Sequence, residues 1–177
     1  MRKKVSVLAI CLIALTSLLI IPTVFATKPT YVEGIMTYMP FFVNVRTSGE
    51  NILIDMTEEG TWTGDIEGDS IDDPCRVIIF KAEGEFPFIT DWKFRWYTGL
   101  ATFEECTVDG KTGGLVMRLV GKDDGPGTDW FGTWVIIKGT GELAGIHGQG
   151  NFWGPGWLGT SDPGIIPYDG WVHFDPS

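Results

Sequence analysis

The sequence predicts an all-β protein: a closed antiparallel β-barrel of about eight strands, with a β-sandwich as the alternative. Three observations predict it. Apolar residues recur at every second position through most of residues 41–174, the period of a half-buried strand. No stretch after residue 26 carries the 3.6-residue apolar period of an amphipathic helix. Polar turn signals divide the chain into short segments, and many short strands without helices mean a barrel or sandwich.

In chain order, residues 1–26 are set apart. Arg2, Lys3 and Lys4 precede an almost wholly apolar run over 5–21, and Val24-Phe25-Ala26 offers a small-residue cleavage site. This is the pattern of a secretory signal peptide, cleaved after Ala26; an uncleaved anchor is the competing reading, because the run approaches a minimal membrane span. Residues 27–177 then form one domain, in a secreted or extracytoplasmic location. Removing three cations takes Lys+Arg from 13 to 10 against 23 Asp+Glu, a net charge of −13. Such a surface repels nucleic acid and anionic membranes, so neither is an expected partner. The oligomeric state is left open.

The strands follow. Phe41, Val43 and Val45 alternate with Asn44 and Arg46, and Ile52, Ile54 and Met56 with Leu53 and Asp55. Trp62, Gly64 and Ile66 form the next apolar set, then Trp92, Phe94 and Trp96, then Leu115, Met117 and Leu119, and last Tyr168, Gly170, Val172 and Phe174. Residues 76–81 and 130–138 read as strands buried on both faces. Turns are expected at Ser48-Gly49-Glu50, Glu58-Glu59-Gly60, Asp72-Asp73-Pro74, Asp109-Gly110 and 123–127. The glycine- and proline-rich segment 154–167 reads as a loop.

The stretch VIIKGTGELAGIHGQGNFWG, residues 135–154, contains a G-x-G-x-x-A match at 139–144. A dinucleotide site requires a helix after such a match, and Gly145, Gly148 and Gly150 leave room for one turn only. The structural reading is a single turn over 140–145, with Leu143 and Ala144 plugging one barrel end. A strand over 146–153 follows, with Ile146, Gly148, Gly150 and Phe152 inward. Glycines two apart on one face admit close approach of another segment, or a sharp bend of the strand around a barrel.

With Cys11 removed, Cys75 and Cys106 remain. An even count in an exported chain predicts one disulfide, which would stabilise by roughly 3–4 kcal/mol; two buried thiols are the alternative.

VDGKTGGLVMRLVGK (108–122), GTWVIIKGTGELAGIHGQGNF (132–152) and the upstream GTWTGDIEG (60–68) together resemble a family of uncharacterised bacterial and archaeal barrel proteins with a GTGELAG-type core. The resemblance covers roughly residues 60–153. That family is similar in fold to allene oxide cyclases and dirigent proteins, so the resemblance implies an eight-stranded barrel with a cavity. It implies no activity that transfers to a particular residue.

Candidate chemistry is sparse. His147 and His173 lack ligand spacing and read as surface residues. Asp65, Glu67, Asp69, Asp72 and Asp73 do not follow the order of a calcium loop and read as a solvated loop, so no metal is expected. No cofactor is expected, and no hydrolase triad is present. Glu104 is the one carboxylate suspected inside a cavity, as an acid or base. Three functions are compatible with this pattern. The first is an exported barrel that binds a small apolar ligand, facing Trp62, Phe94, Trp96, Met117, Gly148, Gly150 and Phe174, with the glycines leaving space. The second is a cofactor-free isomerase or cyclase acting by shaping its substrate. The third is a carbohydrate- or surface-binding module using exposed Trp153, Trp157 and Trp171.

Overall fold

The computed structural model describes residues 27–155 and 163–176; the expected signal segment and Trp157 lie outside them. Eight strands follow in order: β1 Thr30–Ser48, β2 Asn51–Gly64, β3 Ile66–Phe80, β4 Phe94–Val108, β5 Lys111–Asp123, β6 Asp129–Gly139, β7 Ile146–Pro155 and β8 Gly164–Phe174. Each pairs antiparallel with the next, and β1 pairs with β8 from Thr30↔Val172 to Tyr38↔Gly164. The ring therefore closes, and backbone groups that an edge strand would expose are hydrogen-bonded.

Alternation sets the two faces of the ring. On β7, Ile146 and Phe152 are buried while His147, Gln149, Asn151 and Trp153 are exposed. A single 3-10 turn, Gly141–Leu143, joins β6 to β7, and Leu143 is fully buried as a plug. Ala144 is exposed. Gly145, at φ +74°, ends the turn in the left-handed region that favours glycine. The close approach expected at the β7 glycines is present: a Cβ on Gly150 would lie 2.5 Å from the Trp134 indole, and one on Gly170 2.4 Å from the same ring. The glycines thus receive a side chain rather than leave space.

The plugged half of the ring is solid. Trp62 packs against Phe103 and Tyr168 at ring-centroid distances of 5.7 and 4.8 Å, and Trp134, Leu115 and Met117 are buried beside them. The opposite end carries the β1–β2 turn, the 81–93 connection and the 124–128 turn.

Several expectations are corrected. Glu58-Glu59-Gly60 is not a turn but part of β2, and Asp72-Asp73-Pro74 is part of β3. The second carries an extra residue against both neighbours, since Met56↔Cys75 and Glu58↔Asp72 bracket a register shift, as do Gly99↔Cys75 and Ala101↔Asp72. This bulge turns Asp72 and Cys75, three apart, to the same interior face. Residues 76–81 and 130–138 are not buried on both faces: Arg76, Phe131, Val135 and Ile137 face outward. Phe41 and Val43 are exposed, because this part of β1 lies beyond the closed ring. Gly164–Phe174 is strand, so the expected 154–167 loop is shorter.

The disulfide is also corrected. Cys75 and Cys106 are separate buried thiols. Cys75 lies opposite Gly99 and Cys106 opposite Gly68 on the same β3–β4 ladder. Seven residues of strand place them about 20 Å apart, against the roughly 4.4–6.8 Å between Cα atoms that a bridge requires.

Candidate functional site: a half-hollow interior with a buried acid pair

Because the large rings fill the plugged half, free space collects in the other half. A cavity of about 50 Å³ lies there, and all eight strands contribute to its wall. The wall is mainly apolar, with Ile54, Val77, Leu119, Phe152 and Ile166 among its residues. By the measure in which one water needs about 10–15 Å³, this is room for a slim group, not a bulky one. Phe42 lines the space yet is 40% exposed, which places it at the rim, where it meets Phe86 edge to face at 4.9 Å.

One wall is polar. Glu58 continues the inward series Ile52, Ile54, Met56 on β2, and Tyr97 stands on β4. Tyr97 Oη lies 2.9 Å from Glu58 Oε2 and 3.2 Å from Asp72 Oδ2. Behind them, Ser70 Oγ donates to Asp72 Oδ1 at 3.2 Å and Trp62 Nε1 donates to Ser70 at 3.3 Å. A phenol has one hydrogen, so it cannot serve both carboxylates. The second contact needs a proton on a carboxyl group.

The electrostatics assign that proton. Burial, then the neighbouring Asp72 charge, pushes Glu58 up to about 8. Burial raises Asp72 to about 6, opposed by hydrogen bonds from Tyr97 and Ser70. Near neutral pH, Glu58 is the acid that donates to Tyr97, and Tyr97 donates to the Asp72 carboxylate. Burial also pushes the Cys75 thiol up, so it is a poor nucleophile.

Towards the rim stands a second buried pair, Arg95 with Asp123. The guanidinium lies 4.6 Å from the Trp92 ring and 4.8 Å from the Trp130 ring. Asp123 also accepts from Trp92 Nε1 at 2.8 Å and from the Gly125 amide at 3.1 Å. The pair ties the start of β4 to the 124–128 turn.

The residues expected to face a ligand do not line this cavity. Trp62 and Met117 point inward, but in the solid half. Gly148 faces Val172 and Ile136, Gly150 faces Trp134, and Phe174 packs at the plugged end under Lys111. Phe94 stacks on Phe80, and Trp96 is 40% exposed. The phase of β4 is therefore the reverse of the expectation: Arg95 and Tyr97 point in, because a buried ion pair with flanking indoles satisfies the charge. Glu104 is exposed, since a bulge between Phe103 and Cys106 turns both Glu104 and Glu105 outward. Of the supposed solvated acidic loop, Asp72 is buried. The residues missed are Glu58, Asp72 and Tyr97. The signal for Glu58 was its place in the unbroken two-residue series from Ile52 to Trp62.

On the outer surface, His147 and His173 lie opposite each other with rings 5.3 Å apart. Trp153 and Trp171 are exposed. Trp171 meets Tyr31 edge to face at 5.2 Å, above a groove of about 400 Å³ that also includes Gln149, Asn151 and Asp169.

No family model matches the chain, and no curated protein matches it. Among solved structures it is similar to a protein of unknown function from the DUF3224 family of Shewanella oneidensis MR-1, with 17% identity, a TM-score of 0.61, and coverage of 85% of this chain and all of the other. At that identity the likeness is one of fold: an all-β ring of eight strands.

Proposed function

We propose that the chain is an exported β-barrel, of the allene oxide cyclase and dirigent kind, that binds a small, mainly apolar molecule in its hollow half. The observation that carries this reading is the cavity itself: apolar walls from every strand, one polar wall, and a rim at Phe42. Binding sites are concave and mostly apolar, with few polar groups that orient the ligand. The test is titration with 1-hexanol, a slim neutral chain, read by calorimetry and by the change in tryptophan emission, since Trp130 lines the space. Saturable one-to-one binding is expected, with loss in Leu119→Phe, which fills the cavity. Absence of saturable binding, or binding indifferent to Leu119→Phe, removes the reading.

A second reading is favoured by the outer groove, where Tyr31, Trp171 and Gln149 form one lateral row and Asp169 and Asn151 the next. Aromatic faces beside amide and carboxylate groups suit a glycan. Affinity electrophoresis in polysaccharide gels, with Trp171→Ala as comparison, tests it; equal mobility of both proteins in every gel would dismiss it.

A further inference from the structure

We infer that the ligand of the hollow half carries a positively charged amine, a slim alkylammonium whose head rests on Glu58 beside Tyr97 and Trp130. This rests on the cavity reading above and goes beyond it by naming the ligand's charge.

The first ground is a count of donors and acceptors. Glu58 on β2 and Asp72 on β3 bring four carboxyl oxygens to one wall. Around them the available donors are the Tyr97 and Ser70 hydroxyls, the Cys75 thiol and the single proton that Glu58 retains. Other titratable groups that face this region do not change the balance. Tyr38 on β1 lines the space, and Arg95 on β4 is engaged by Asp123 of β5. Among the described residues, no Lys, Arg or His lines the cavity. These four donors match the four oxygens only while Glu58 keeps its proton, whereas an ammonium group brings three donors of its own and can replace that proton.

The second ground is the aromatic corner. Tyr97 and Trp130 stand at 76° to each other with centroids 6.1 Å apart, and both line the cavity with Tyr38 and Phe152. Ring faces attract cations, and Trp130 already holds the Arg95 guanidinium at 4.8 Å. Rings and the Glu58 carboxyl group converging on one space favour a cation. The same arrangement disfavours a fatty-acid head, which would bring a second negative charge into a low-dielectric space beside the Asp72 carboxylate. The small volume limits the group to a slim one. Net charge of −13 on residues 27–177 draws cations towards the molecule.

Protons balance simply. The amine arrives already protonated, its N–H bonds directed to the Glu58 carboxylate. The proton that Glu58 held leaves to solvent, so the charge of the interior is unchanged. With Glu58 at about 8, roughly nine-tenths of a proton is released per ligand at pH 7.

The experiment is calorimetric titration of the protein with three chains of equal length: hexylammonium, 1-hexanol and hexanoate. Each is run at pH 7 in two buffers of different ionisation enthalpy. The amine is expected to bind at least about tenfold more tightly than the alcohol, with release of nearly one proton, and hexanoate is expected not to bind. Glu58→Gln should bring the amine to the level of the alcohol. The inference falls if hexanol equals the amine, if hexanoate binds best, if no proton is released, or if folded Glu58→Gln keeps the preference. In those cases binding of any of the three still supports the cavity reading, whereas failure of all three removes both. The comparison of three ligands on the unaltered chain decides the matter even if Glu58→Gln does not fold.

Discussion

Replacing Gly150 by alanine adds a single methyl group where β7, β8 and the Trp134 indole meet. An ideal Cβ at this position lies 1.9 Å from the Asp169 carbonyl oxygen and 2.5 Å from two carbons of the indole. The carbonyl belongs to the β8 backbone and also accepts the Trp134 Nε1 hydrogen bond at 3.0 Å. Neither obstacle is the free end of a flexible side chain, so β8 must shift or the indole must leave a fully buried site. Gly150 does not sit in the left-handed region, so the cost is steric rather than torsional. Overpacking of one such contact costs about 1–3 kcal/mol. Two together should exceed about 3 kcal/mol, or roughly 6–12 °C in Tm for a domain of this size. Urea and thermal unfolding followed by circular dichroism measure it. Gln149→Ala, one residue away and facing solvent, should stay within about 0.5 kcal/mol. A double-mutant cycle with Trp134→Leu should show coupling of about 1 kcal/mol or more. If Gly150→Ala is no more destabilising than Gln149→Ala, the packing of Trp134 against β7 and β8 is wrong.

Two further outcomes follow from the interior. Glu58 is raised from 4.5 to about 8 and Asp72 from 3.8 to about 6, so the folded state binds more protons than the unfolded chain. Their contribution is fully present below the unfolded values and is lost as pH rises through about 6 and then about 8. Stability should therefore fall between pH 5 and 8.5, by on the order of 5 kcal/mol, and a urea midpoint that rises or stays flat over this range would contradict it. Glu58→Gln should flatten the profile. Cys75 and Cys106 should both titrate as free thiols in denaturant without reductant, reductant should leave the unfolding midpoint unchanged, and an intact mass 2 Da low would refute this.

Much of the architecture was legible along the chain. Alternation over 146–153 located β7 and its inward face, and Gly139 to Gly145 marked the single turn that buries Leu143. These features are local: a strand's faces follow from its two-residue period, and a glycine-bounded turn needs few distant contacts. The candidate site was not legible for a related reason. Glu58 and Asp72 are acidic residues next to Glu59, Gly60, Asp73 and Pro74, and by composition they mark turns. In the ring the same residues lie within strands, because β2 and β3 pair across them and the bulge at Asp73-Pro74 aims Asp72 inward. Likewise Arg95 reads as solvent-facing until Asp123, 28 positions away, is brought beside it.

The sequence alone determined the all-β class and the direction in which β7 presents its side chains; that the β7 glycines receive the Trp134 indole rather than leave space came from the structure. It also determined the acidic net charge. Only the tertiary structure decided which half of the ring is solid, which carboxylates are buried and that the two cysteines stand apart. Periodicity records on which side of a strand a residue lies. The register between strands, shifted by bulges in β3 and β4, decides which residues meet, and that register is a sum of pairings across the whole ring that no local stretch contains.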